Sequence, residues 1–123
     1  MKNGGLTERI IGAAIEVHRN LGPGLLEAVY EECLCRELSR SALHFERQKE
    51  FPISYKGDVI DHVYRIDLIV EGDVIVELKS IEVLLKLHEA QILTYMRFSG
   101  IGIGLLLNFN VTLMRDGIRR FVI

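Results

Sequence analysis

The hydrophobic rhythm of this 123-residue chain changes from a helical spacing to an alternating one after Ser41, and returns to a helical one near Ile81. Two periods in separate blocks restrict the chain to a mixed α/β architecture. Upstream of the first switch, Leu6, Ile10, Ile11, Ala14, Ile15, Val17 and Leu21 recur at helical spacing. They predict an amphipathic helix over residues 6–21, with Thr7 as its N-cap and Leu6 and Ile11 as a hydrophobic staple. Gly22-Pro23-Gly24 breaks that helix. A second helix is predicted over residues 25–38, with Leu26, Val29, Tyr30, Cys33, Leu34 and Leu38 on one face and Glu31, Glu32 and Arg36 mostly away from it.

Between the switches, residues 45–55 and 59–70 read as strands joined by Lys56-Gly57-Asp58, and Glu71-Gly72-Asp73 leads into a third strand over residues 74–79. This is an antiparallel meander. A third helix is expected over residues 81–98, ended by Ser99-Gly100, then a buried strand over residues 101–109 and a short last strand over residues 117–123. No repeat, low-complexity tract or linker divides residues 1–123, so a single domain is expected.

Composition narrows the function classes. A hydrophobic fraction of 49% supports a substantial core and argues against disorder. The formal charge of −2 argues against a non-specific nucleic-acid coat protein, which shows a basic surplus. It does not exclude a nuclease, whose metal-binding carboxylates count as negative until the metal binds. No apolar run approaches the roughly 20 residues that span a bilayer. Residues 1–7 lack the charged-then-apolar layout of a secretion signal, so a cytoplasmic protein is expected. Cys33 and Cys35 would point about 200° apart on a helix, which suits reduced thiols rather than a disulfide or a shared metal.

Charge is hidden inside the apolar strands. Alternation puts Asp67 on the face of Arg65 and Ile69, and Glu77 on the face of Ile75 and Lys79. If Glu71-Gly72-Asp73 is a three-residue loop, Asp67 stands directly opposite Glu77 with Cβ atoms about 4.5 to 5.5 Å apart. A two-residue loop would put them on opposite faces. Two adjacent carboxylates in a largely buried sheet need a cation or a lysine to offset them. The pair suits a hard divalent cation with oxygen ligands, Mg²⁺ or Mn²⁺, with Lys79 positioning or helping to deprotonate a water and stabilising charge on a phosphodiester. The alternative on spacing alone is a structural ion pair with Lys79 and no metal.

Glu27, at the edge of the second helix's apolar stripe, is a candidate third acid or a first-turn glutamate favoured by the helix dipole. Gln91 and Tyr95 are one turn apart on the face of Leu84, Leu87, His88 and Phe98. There Gln91 either holds Lys79, a water or a phosphate, or is a satisfied core amide. His18 falls near the centre of the first apolar face, as a buried structural histidine or a phosphate contact. His44, His62 and His88 have no defensible metal-ligand spacing. Arg119 and Arg120, with Arg97 and Arg115, form either a basic rim for a phosphate backbone or a solvated surface.

Gly24-Leu25-Leu26-Glu27-Ala28-Val29-Tyr30 resembles the motif that names the GxxExxY protein family. The resemblance extends to the stretch from His18 to Gly24, to Tyr64-Arg65-Ile66-Asp67-Leu68, to Val76-Glu77-Leu78-Lys79, and to Gly104-Leu105-Leu106-Leu107-Asn108-Phe109. That family is assigned to the PD-(D/E)xK nucleases, and the order Glu27, Asp67, Glu77-x-Lys79, Gln91-x-x-x-Tyr95 is similar to that of RecB-type exonuclease domains. The resemblance implies a restriction-endonuclease-like core, a central mixed sheet whose meander carries the site, flanked by helices. It also implies that Glu27, Asp67, Glu77 and the Leu78 carbonyl surround a metal, that Lys79 serves catalysis, and that Gln91 and Tyr95 flank the site. Ile66 stands where the superfamily's name shows proline. The expected activity is metal-dependent hydrolysis of nucleic acid, DNA in preference to RNA. A nuclease-fold module that binds nucleic acid or protein without turnover remains the alternative, and a homodimer is compatible with the apolar runs.

Overall fold

The computed structural model describes residues 4–123. Its elements run α1 (Gly4–Leu21), α2 (Glu27–Arg40), β1 (Phe45–Tyr55), β2 (Asp58–Val70), β3 (Val74–Lys79), α3 (Lys86–Ser99), β4 (Ile103–Asn108), a short 3-10 turn (Met114–Gly117) and β5 (Ile118–Val122). The strands form one five-stranded sheet in sequence order. Neighbours are antiparallel except β3 and β4, which are parallel because α3 carries the chain back between them. The architecture is therefore an α/β mixed sheet flanked by helices.

Each face of the sheet buries its own cluster. On one, Ile10 and Ala14 of α1 and Tyr30, Leu34 and Leu38 of α2 pack on Leu68, Val76, Leu105 and Leu107. On the other, Ile92 and Met96 of α3 pack on Ile69, Ile75 and Leu106. Every residue of β4 is buried, as a strand covered on both faces requires. Among the described residues no helix is long and apolar enough to cross a membrane.

Four expectations change. Helix α1 already runs from Gly4, so Thr7 is a buried residue inside it and not its N-cap, which needs non-helical backbone. Residues 1–3 of the N-terminal segment read for a secretion signal lie outside the described residues. Helix α3 begins at Lys86 rather than near Ile81, because the buried Asn108 side chain takes the Ile81 peptide from both sides. Asn108 Oδ1 accepts from Ile81 N–H at 3.1 Å and Nδ2 donates to the Ile81 carbonyl at 2.9 Å. Helix α2 begins at Glu27, leaving Leu26 75% exposed in front of it, while Glu31, expected to point away, is buried. Cys33 and Cys35 are free thiols, as expected, and burial pushes the Cys35 thiol up to about 11.

Candidate active site

The loop between β2 and β3 sets the site. Val70 pairs with Val74, Ile69 with Ile75 and Leu68 with Val76, which is the register of a three-residue loop. Glu71 and Gly72 supply the left-handed turn, with φ of 54° and 69°. One step further the backbone ladder stops and two side chains replace it. Asp67 N–H donates to Glu77 Oε2 at 2.7 Å, and Leu78 N–H donates to Asp67 Oδ2 at 2.9 Å. The strands fork here, and the carboxylates satisfy amides that would otherwise lose their partners.

The opposite edge of β2 is irregular at the same level. Gln48, flanked by the pairs Arg47 with Leu68 and Lys49 with Ile66, has a φ of 50°. Leu68 and Val70 pack toward α1 and α2, whereas Tyr64 and Ile66, an even number of residues away, pack toward α3. The alternation of β2 thus inverts at Asp67, and Arg65, expected on its face, is an exposed partner of Glu50 at 2.7 Å. The turned Gln48 amide donates to Asp67 Oδ1 at 3.3 Å and to Glu31 Oε1 at 2.8 Å. Arg47 closes the network on Glu31 Oε2, through Nη2 at 3.0 Å and Nε at 3.2 Å.

Glu77 is only 5% exposed. Burial first, and then the charge of Asp67, push its carboxyl up to about 8, against the opposing pull of the Asp67 amide and of Lys79. Tyr95 is raised from its ordinary value by burial and by the charges of Glu77 and Asp67, while Gln91 hydrogen-bonds its hydroxyl and pulls the other way. Glu77, Asp67, Tyr95 and Gln91 therefore occupy one neighbourhood, although the Gln91 residue is exposed and not immersed in an apolar face. Lys79 is half-buried at the end of β3 and forms no ion pair among the described residues, so the structural ion pair weighed from the sequence is not made. Its position is fixed by β4: Lys79 pairs with Asn108, and Phe109 N–H donates to the Lys79 carbonyl at 2.9 Å. The Leu78 side chain belongs to the core.

Glu27 stands at the rim. It is exposed at the start of α2, and its Oε2 accepts from Ser80 N–H at 3.4 Å, next to Lys79. Its placement explains the Gly24 and Tyr30 positions of the motif. Gly24 turns the chain with a φ of 96°, and Tyr30 stacks on Phe109 at 4.5 Å. The Tyr30 hydroxyl then closes the turn, donating to the Gly22 carbonyl at 2.6 Å and accepting from Leu25 N–H at 3.2 Å. Glu27 nevertheless does not join Asp67 and Glu77 in a common donor set: among the described residues no three His, Cys, Asp or Glu side chains are grouped to hold a metal ion.

The remaining candidates lie elsewhere. His18 is buried, with Nε2 at 2.7 Å from the Val111 carbonyl, tying α1 to the loop after β4. His88 Nδ1 accepts from Leu85 N–H at 2.9 Å and so caps α3. Arg119 and Arg120 sit on β5 opposite Leu106 and Leu105, on opposite faces of an edge strand, three strands from Asp67 and so about 14 Å away. Sequence reasoning missed Glu31 and Gln48, and with them the support of Asp67. The signal available for Glu31 was its place one turn after Glu27.

Two carboxylates, one of them buried and raised by the other with the charge of Lys79 opposing that rise, form a donor set suited to a hard divalent cation. No curated protein and no solved structure matches the chain. A family model of the PD-(D/E)XK nuclease superfamily matches residues 4–121. With that match spanning nearly all of a mixed sheet whose two central acids meet at one fork, the chain belongs to the PD-(D/E)XK nuclease superfamily.

Proposed function

We propose that this protein is a divalent-cation-dependent nuclease whose reaction centre is the fork between β2 and β3, with DNA as its polymer. The observation that carries the reading is the buried Glu77 joined to Asp67 across the fork, with Lys79 two residues further along the strand and its charge acting on Glu77. Asp67, Glu77 and the Leu78 carbonyl would hold Mg²⁺ or Mn²⁺, and Glu27 borders the mouth. When bound, the cation supplies charge for the phosphodiester and acidifies a water. Lys79 orients that water and offsets negative charge developing on the phosphorus oxygens. Tyr95 and Gln91 wall the centre on the α3 side, and Gln48 with Glu31 holds the Asp67 carboxylate in place.

This extends the likeness to the GxxExxY family and to the RecB-type order of motifs. The test is a panel of single-stranded, duplex, branched and RNA substrates with Mg²⁺ or Mn²⁺. Lys79→Ala and Asp67→Ala are expected to lose at least about 10²-fold in cleavage, the scale of removing one transition-state contact, with unchanged folding by circular dichroism. Cleavage that survives either substitution overturns the assignment. The absence of a three-carboxylate group among the described residues favours a second reading, a nuclease-fold binding module without turnover. No cleavage of any substrate by the native chain, with retained binding, would select it.

A further inference from the structure

We propose that Phe98, backed by Tyr64, is a stacking platform for an unpaired nucleobase beside the fork, which makes the substrate single-stranded nucleic acid; the inference rests on the nuclease reading of that fork. A row of rings leads outward from the centre. Tyr95, within electrostatic reach of Asp67 and Glu77, stacks on Tyr64 at 5.2 Å and 9°. Tyr64 stacks in turn on Phe51 at 5.8 Å and 12°, and Phe98 meets Tyr64 at 5.7 Å and 46°.

Three of these rings are core or half-buried, but Phe98 is 64% exposed. Lying three residues after Tyr95 on α3, it is about 4.5 Å further along the helix axis on the same side. An exposed phenylalanine contributes little to the core and leaves a π-face open to a ligand. Arg97, next to it, is exposed, donates to Thr94 Oγ1 at 3.2 Å and forms no ion pair among the described residues, so its charge is available to a phosphate.

Ring chemistry selects the strand state. Every unpaired base has a π-face to lay on Phe98, whereas a duplex hides its base faces in the helix. The occupant favoured at Phe98 is thus a base next to the scissile phosphate in an unpaired strand.

Fluorescence anisotropy tests this, with labelled oligothymidylate and a duplex of equal length in Mg²⁺, on the Lys79→Ala protein so that cleavage does not intervene. The single strand is expected to bind more tightly than the duplex. Phe98→Leu should weaken single-strand binding by roughly 5- to 100-fold, the loss of one base stacked on a ring, and Phe98→Trp should retain it. Because leucine keeps an apolar side chain, and thermal melting of each variant checks the fold, a packing role would leave Phe98→Leu unchanged. Equal binding of Phe98→Leu and its parent, a duplex held as tightly as the single strand, or no binding of either overturns the platform. The nuclease reading is judged separately by the cleavage panel: a native chain that cuts, with Phe98→Leu binding undiminished, refutes the platform alone.

Discussion

Glu77 bears the largest electrostatic cost at the residue scale, and that cost depends on pH. Its folded carboxyl is raised from 4.5 to about 8, so between those values the folded chain keeps a proton that the unfolded chain has lost. Its contribution to stability is full below the unfolded value and is lost as pH rises through the folded one. In chelator, Glu77→Gln should therefore stabilise the chain at pH 8 relative to pH 5, by on the order of 1 kcal/mol or more, since each unit of displacement corresponds to about 1.4 kcal/mol. Urea denaturation of both proteins at the two pH values measures the difference; an equal pH dependence in both would refute it. The Asp67–Glu77 meeting was legible in the sequence as one of two outcomes, since a three-residue loop brings the acids together and a two-residue loop separates them, and the structure takes the three-residue register. For Glu31 the sequence offered only its spacing from Glu27, because it is buried by Arg47 and Gln48, and polar partners leave no trace in hydrophobic periodicity. The left-handed Gln48 that delivers one of those partners lies inside a strand, where no turn residue announces it.

Among the elements, the close approach of α3 to β4 decides where Tyr95 lies. A Cβ on Gly104 would fall 2.7 Å from Met96 Sδ and 3.1 Å from Ile92 Cδ1, both on α3. Gly104→Ala should cost about 1–3 kcal/mol through overpacking, and should cost less on a Met96→Ala background than on the native one because the two sites share one space. Gly117 is less forgiving: a Cβ there would lie 2.0 Å from the Asn108 carbonyl oxygen, which is backbone. Gly117→Ala should consequently destabilise more than Gly104→Ala, with no side-chain truncation able to relieve it. Chemical denaturation of the native chain, the three single variants and the double variant measures these costs, and a cost at Gly104 at least equal to that at Gly117 would contradict the packing argument. The sequence located the three α-helices and five strands of the described residues, since their periods are strong. It extended α3 back to Ile81 because the apolar spacing continues there, whereas the Asn108 clamp, 27 residues distant, holds that stretch out of the helix.

Across the whole molecule, the two carboxylates are neighbours only while the sheet is intact: they come from separate strands and are aligned by the register of β2 on β3. A cation held by both binds the folded chain far better than the unfolded one, and so raises the melting temperature in proportion to RT ln(1 + [L]/Kd), about 2.7 kcal/mol at a hundredfold excess over Kd. Melting with and without millimolar Mn²⁺ should accordingly show an upward shift of several degrees in the native chain, little or none in Asp67→Asn, and the native shift in Phe98→Leu, which lies outside the donor set. Protons and the cation compete for Glu77, so the shift should be larger at pH 8 than at pH 6. A shift of equal size at both pH values would separate the cation from Glu77, and an unshifted native chain would favour the binding module over the nuclease.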